Sequence, residues 1–121
     1  MGLYNFKARF VDKILSGAKT HTIRAIRAHP DKPGNTLHLY TGLRHKGARL
    51  LMRATCTKVQ EIEIRANSVW IDGELMFADE CELLARRDGF ENFTEMWKFW
   101  EERLPFVGHI IHWRHHAHNA R

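Results

Sequence analysis

Three side chains that can do chemistry lie close together near the start of the chain, in the segment GAKTHTIR. Lys19 carries an amine, Thr22 a hydroxyl and Arg24 a guanidinium group. A lysine that loses part of its hydration gives up its proton more easily and can then act as a base. Such a base can take the proton of a threonine hydroxyl, whose oxygen then attacks an acyl carbon. The segment also fits an ordinary polar strand with a solvated lysine, and both interpretations stay open at this point.

The spacing sets a condition on how Lys19 and Thr22 can meet. Positions three apart on a strand point to opposite faces, so the two side chains converge only if Lys19 lies in the turn before the strand. Gly17 favours that turn, because glycine readily adopts left-handed backbone angles. Arg24 then shares a strand face with Thr22, where its guanidinium suits a phosphate or a base edge; a salt bridge to a helix carboxylate is the alternative. His21 faces the other side, where we expect a structural role.

Charge is distributed unevenly along the 121 residues. Residues 1–58 carry a net charge of +10, and residues 59–105 carry a net charge of −7. A basic half is typical of a protein that binds nucleic acid, although the two halves can also neutralise each other within one fold. The basic side chains Lys32, Arg44, Lys46, Arg49 and Arg53 are candidates for this electrostatic surface.

The length predicts one domain over residues 1–121, with a basic, histidine-rich tail over about 114–121. No apolar run reaches the ~18 residues of a membrane span, and the start of the chain lacks the apolar core of a signal peptide. We therefore expect a cytoplasmic protein that does not bind a membrane. Cys56 and Cys81 lie far apart without CxxC spacing, which favours core positions over a disulfide or a metal site.

Periodicity predicts the order strand, helix, four or five strands, two helices, strand. The helix after the first strand should end at Gly17, and Asp72-Gly73 in VWIDGELM predicts a hairpin. Asp79 and Glu82 predict a capping box for a helix that runs to about Arg86. The next helix has an apolar face, formed by Phe93, Met96, Trp97 and Trp100. The expected fold class is α+β, a small mixed or antiparallel β-barrel flanked by two to three helices.

Four segments resemble, in order, the motifs of the ASCH domain, a family whose barrel is similar to the PUA domains of RNA-modifying proteins. The segments are ILSGAKTHTIR, KPGNTLHLYTG, DGFENFTEMWKFW and PFVGHIIHW, and they span about Phe10 to Trp113. The resemblance implies a PUA-like barrel that binds RNA or a modified nucleobase. One bacterial branch of similar size hydrolyses N4-acetylcytidine to cytidine and acetate, and another branch is described as a ribonuclease.

The resemblance to the amidohydrolase branch implies a catalytic set of three residues. Thr22 would be the nucleophile, Lys19 the base and Asp88 the acid. That branch has glutamate where this chain has Asp88, which is one methylene shorter. A displacement of about 1 Å can cost a large factor in rate, so the sequence leaves open whether Asp88 reaches the lysine.

The predicted nucleobase- and RNA-binding residues are Arg24, Thr20, Trp113, His112 and Arg53. In the resembling family the closing strand lies near the pocket, so Trp113 is expected to stack on a base; a tryptophan that fills the end of the barrel is the alternative. The tail is expected to help hold phosphate. His112 and His116 have a spacing that binds metal on a helix, but no carboxylate or cysteine is nearby, so no metal or other cofactor is expected.

Together with these patterns, the resemblance implies an RNA- or modified-nucleobase-binding domain that hydrolyses the amide of N4-acetylcytidine-type nucleosides. Two alternatives stay open, a non-catalytic RNA-binding module and a metal-independent ribonuclease. The expected partner is RNA or a modified nucleoside, and a monomer is assumed.

Overall fold

A computed structural model, which describes residues 2–115, shows an α+β fold with a curled, mixed, seven-stranded sheet and three α-helices. The strands are β1 (Gly2–Phe6), β2 (His21–Ala25), β3 (Thr36–Thr41), β4 (Arg49–Arg65), β5 (Ser68–Ile71), β6 (Glu74–Leu75) and β7 (Phe106–Arg114). The helices are α1 (Val11–Ser16), α2 (Ala78–Arg87) and α3 (Phe93–Trp100), and 3-10 turns occupy Ala8–Phe10 and Glu101–Arg103. The predicted order of elements is confirmed.

Strand β4 organises the sheet, because it is long enough to pair with three neighbours. Its first part pairs with β3, its last four residues pair with β5, and Thr55–Ile64 pairs with β7, all antiparallel. Strand β7 pairs with β2 on its other edge, and β1 runs parallel to β3. The sheet is therefore mixed, with β1 and β2 outermost on the two sides of β4 that curl toward each other.

Two arginines of the β2 region bridge the gap between β1 and β2, called the β1–β2 seam below. The Nη2 of Arg24 donates a hydrogen bond to the carbonyl oxygen of Asn5 at 2.7 Å. The Nη2 of Arg27 donates to the carbonyl oxygen of Leu3 at 2.8 Å. Unpaired carbonyl groups at a strand edge need such donors, so side chains here take the place of a backbone ladder.

The core lies inside the curl of the sheet and beneath the helices. Fully buried side chains come from all three helices and from six of the seven strands, and they include Tyr4, Ile14, Leu37, Leu39, Ile62, Ile64 and Ile110. Cys56 and Cys81 are buried with free thiols, in agreement with the predicted core positions. Among residues 2–115, no helix has the length and apolar character needed to cross a bilayer.

The two later helices follow the predicted pattern except at one cap. On α3, Met96 and Trp100 are buried and the other two residues of the predicted face are partly buried, which confirms that face.

The capping box of α2 predicted from Asp79 and Glu82 is wrong. The backbone N–H of Phe77 donates to Oε1 of Glu80 instead, because the N-cap of α2 is Phe77, two residues before Asp79. The predicted hairpin is confirmed by positive φ angles at both residues of its turn, Asp72 and Gly73.

Gly89 follows the end of α2 at a position where backbone angle and packing both require glycine. Its φ is +99°, and a Cβ there would lie 2.9 Å from Cδ1 of Phe10 and 3.1 Å from Cδ of Lys19. We expect Gly89→Ala to lower the free energy of unfolding by about 3–4 kcal/mol, since it adds backbone strain and steric overlap.

The matched control is Gly73→Ala. Gly73 has a φ of +81°, but a Cβ there meets nothing within 4 Å. Gly73→Ala should therefore lower the free energy of unfolding only by the backbone strain, about 1–2 kcal/mol. Urea unfolding of both variants measures the difference, and equal losses would show that the contact with Phe10 and Lys19 contributes nothing.

Candidate functional site

A cavity of about 390 Å³ opens at the β1–β2 seam and is called the seam cavity below. Its volume lies in the range of about 300–1,000 Å³ found for small-molecule sites. Its aromatic lining consists of Phe6, Phe10, Phe90, Phe99, Trp100 and Phe106. Its polar lining consists of Asn5, Lys7, Lys19, Thr22, Arg24, Asp88 and Arg103. Flat aromatic walls around a few polar groups suit a planar, polar ring such as a nucleobase.

Lys19 reaches the cavity from the turn that follows α1. Gly17 ends α1 with a φ of +89°, and the N–H of Lys19 donates to the carbonyl oxygen of Lys13 at 2.9 Å. Strand β2 begins only at His21. The predicted condition is therefore confirmed: Lys19 lies in the turn before the strand, and both Lys19 and Thr22 line the cavity.

Lys19 and Asp88 form a buried pair. The Nζ of Lys19 donates to the carbonyl oxygen of Asp88 at 2.5 Å and to its Oδ1 at 3.1 Å. The two side chains are 3% and 7% exposed. Asp88 occupies the C-cap of α2, where its N–H donates to the carbonyl oxygen of Leu84 at 3.0 Å, so the end of a helix positions the carboxylate. Aspartate is thus long enough to reach the lysine at this position.

Burial shifts both members of this pair toward their neutral forms. It lowers the pKa of the Lys19 amine, and the attraction of Asp88 offsets only part of that effect. It also raises the pKa of the Asp88 carboxyl, against the opposing influence of Lys19 and Arg24. Each charge loses hydration in this site, which is the physical cause of both shifts. A lysine that loses its proton more easily and a carboxyl that keeps its proton longer are suited to acid–base work.

Thr22 is held by Arg24. The Nε of Arg24 donates to Oγ1 of Thr22 at 2.9 Å, and its guanidinium carbon lies 4.8 Å from the centre of the Phe6 ring. The predicted shared strand face of Thr22 and Arg24 is confirmed. A positive charge beside a hydroxyl oxygen favours the deprotonated form, and it leaves the hydroxyl proton free to go to a base. The alternative ion pair between Arg24 and Asp88 is not formed in the described chain.

His21 is a residue of the site that the strand pattern did not reveal. Alternation predicts a structural histidine on the face away from Thr22. The imidazole is indeed buried, at 1% exposure, but its Nε2 lies 3.4 Å from Oδ1 of Asp88. Burial first, and then the charge of Lys19, hold its pKa well below the ordinary value, so the ring is neutral near pH 7. No local pattern in the sequence signals this contact, because it depends on where α2 ends against β2.

Four predicted binding residues do not line the seam cavity: Thr20, Trp113, His112 and Arg53. Trp113 is 4% exposed and packs edge-on against Phe6, with ring centres 6.0 Å apart. A ring enclosed in this way cannot stack on a base, so the expected role of Trp113 is corrected to the alternative of core packing. The ring of His112 contacts Gln60, with 2.7 Å between Nε2 and the amide Oε1.

The other two lie apart from the cavity for different reasons. Thr20 acts through its backbone, since its N–H donates to the carbonyl oxygen of Arg87 and its own carbonyl accepts from the N–H of Trp113. Arg53 is exposed on β4, opposite His38 of β3. Of the predicted binding set, only Arg24 therefore lines the cavity.

The predicted tail lies mostly outside the described residues. Arg114 is the last residue of β7, and residues 116–121, which include His116, are not described. Within residues 2–115, no group of three or more histidine, cysteine, aspartate or glutamate side chains is arranged to hold a metal ion.

Comparison with known proteins identifies no relative. No protein-family model matches the chain, and neither a curated protein nor a solved structure matches it. The chemistry of the seam cavity therefore has to carry the functional interpretation.

Proposed function

We propose that the protein is a PUA-like ASCH domain that binds a modified nucleobase in the seam cavity and hydrolyses the exocyclic amide of N4-acetylcytidine-type nucleosides. Thr22 is the nucleophile, Lys19 the base and Asp88 the acid. The observation that carries this proposal is the buried Lys19–Asp88 pair, which lies in the same cavity as the Thr22 hydroxyl. The curled mixed sheet with its helices supports the PUA-like part of the proposal.

The reaction proceeds in two stages in this proposal. The neutral amine of Lys19 takes the hydroxyl proton of Thr22 while Oγ1 bonds to the acetyl carbon. The carbon–nitrogen bond then breaks, and the exocyclic nitrogen leaves with a proton from Asp88, which regains one from Lys19. Water then attacks the acetyl ester on Thr22, Lys19 accepts the proton of the water and returns it to Oγ1 as the bond from Oγ1 to the acetyl carbon breaks, and acetate leaves together with one proton.

The aromatic walls hold the base during these steps. The amine of Lys19 lies 4.9 Å from the centre of the Phe10 ring and 5.5 Å from the centre of the Phe6 ring. A planar base that enters between such rings excludes water from the amine, which further favours its neutral form. The same aromatic side chains thus position the base and exclude water from the amine of Lys19.

A nucleoside assay tests the proposal directly. Incubation with N4-acetylcytidine should release cytidine and acetate in equal amounts, and the rate should be the same with and without a chelator, because no step uses a metal. Chromatography of the nucleosides measures the conversion. If no cytidine forms at high enzyme concentration, the catalytic proposal is wrong.

The second candidate is a non-catalytic module that binds RNA through the same cavity. It is favoured by the net charge of +10 over residues 1–58 and by the three basic side chains at the cavity besides Lys19, which are Lys7, Arg24 and Arg103. Such a module would bind single-stranded RNA with an affinity that falls steeply with salt, and it would release no cytidine from the acetylated nucleoside.

A further inference from the structure

Two cations that the catalytic proposal does not use lie at the rim of the seam cavity. Lys7 follows β1, and Arg103 ends the 3-10 turn after α3; both are exposed and both line the cavity. The Nζ of Lys7 lies 5.1 Å from the centre of the Phe99 ring, and the guanidinium carbon of Arg103 lies 4.8 Å from the same centre. Cation–π contacts with one ring thus gather two positive charges from distant parts of the chain.

Neither cation has a carboxylate partner within residues 2–115. Neither Lys7 nor Arg103 takes part in the ion pairs and the histidine–carboxylate contact of this region, whose basic members are Arg9, Lys13, Lys19, His21 and Arg65. Glu101 and Glu102 precede Arg103 in the 3-10 turn, but neither lines the cavity. Two positive charges at one rim without a carboxylate partner both attract an anion that binds there.

We propose that Lys7 and Arg103 form a phosphate-binding subsite, so that the ligand of the seam cavity is a phosphorylated pyrimidine nucleotide and not a free nucleoside. This inference rests on the proposed function, because a base held between the aromatic walls is what directs its sugar and phosphate toward the rim. The guanidinium of Arg103 offers paired donors to phosphate oxygens, and the ammonium of Lys7 offers a mobile point charge. The phosphate belongs either to a free 5′-monophosphate or to an RNA strand, since both present the same group.

Binding of the reaction products tests the subsite without any chemistry. Cytidine and cytidine 5′-monophosphate are titrated separately into the unmodified protein by calorimetry. We expect the monophosphate to bind about tenfold more tightly at low salt, as two partly exposed charge contacts would provide. The advantage should shrink as salt is added. Equal affinities for the two ligands would overturn the inference.

Matched variants assign the effect to the rim. Lys7→Ala and Arg103→Ala should each remove most of the advantage of the monophosphate over cytidine, measured as the ratio of the two affinities in the same variant. Lys98→Ala and Arg44→Ala remove an exposed lysine and an exposed arginine that do not line the cavity, and they should preserve the advantage. Losses that are equal in the rim variants and these controls would contradict a local subsite, since they would reflect only the net charge.

Two further arms separate the sources of phosphate and the two proposals. A short oligoribonucleotide with a central cytidine should bind more tightly than the monophosphate if the ligand is RNA, and no more tightly if it is a free nucleotide; both results depend on the rim cations.

Turnover of N4-acetylcytidine with no gain in kcat/KM for its 5′-monophosphate would retain the proposed function and overturn the subsite. Phosphate-dependent binding without turnover of either compound would retain the subsite and overturn the catalytic proposal.

Discussion

Replacing Thr22 by alanine should lower kcat/KM for N4-acetylcytidine at least about a thousandfold, because it removes the oxygen that bonds to the acetyl carbon. In the described part of the chain, Thr22 is the one hydroxyl- or thiol-bearing residue that lines the seam cavity. No other hydroxyl or thiol of the described lining can therefore take over its role as nucleophile. The fold should lose only about 1 kcal/mol, the contribution of one hydrogen bond from Arg24. Steady-state kinetics and urea unfolding measure the two effects separately.

The chain offers a close control for this experiment in Thr20. Thr20 lies two residues earlier, does not line the cavity, and makes its strand contacts through backbone atoms that alanine retains. Thr20→Ala should therefore keep nearly full activity. Thr22→Ser retains a hydroxyl and should keep measurable turnover. If Thr22→Ala still worked at more than a tenth of the original rate, water activated by Lys19 would be the attacking group and the role given to Thr22 would be wrong.

Replacing Asp88 by alanine should lower the free energy of unfolding by about 3–5 kcal/mol, because the buried Lys19 amine loses its side-chain partner and must either give up its proton or stay charged without a counter-charge. The φ and ψ of Asp88 are −86° and −2°, angles that alanine adopts freely, so the variant adds no backbone strain. Only the hydrogen bond from Lys19 to the backbone carbonyl of residue 88 would remain. Urea or thermal unfolding gives the loss.

Two comparisons isolate the effect of burial on this pair. Lys13 and Glu91 form an ion pair with side chains that are 30% and 72% exposed, against 3% and 7% for Lys19 and Asp88. Glu91→Ala should therefore change stability far less, since water screens that pair. The double variant Lys19→Met, Asp88→Ala removes both members of the buried pair and should be clearly more stable than the sum of the two single losses predicts. Additive losses would show that the two groups are not coupled in the folded protein.

Much of the fold was predictable because its signals are local. The end of the first helix at Gly17, the turn at Asp72-Gly73 and the apolar face of α3 are each set within one element, and the structure contains all three. The cap of α2 was not predictable with the same certainty. Three acidic residues, Asp79, Glu80 and Glu82, lie within its first turns, and which of them caps the helix depends on where the backbone begins to coil.

The contacts of the site depend on residues far apart in the sequence. Lys19 and Asp88 are separated by 69 positions, and their contact requires α2 to end against the turn after α1. The resemblance to ASCH motifs pointed to the pair, but only the packing of these elements shows that the shorter carboxylate reaches the amine. Trp113 shows the opposite outcome, because the ring of Phe6 on β1 encloses it in the core.

By itself, the sequence determined the order of the elements, the turn that carries Lys19 and the shared face of Thr22 and Arg24. These features follow from glycine conformation and from the two-residue period of a strand, which act over a few residues. The tertiary structure alone decided that Asp88 and His21 meet, that Lys7 and Arg103 converge on Phe99, and that Trp113 is buried. Those contacts depend on how the sheet curls and where the helices end, and the burial they create shifts the pKa values of Lys19 and Asp88.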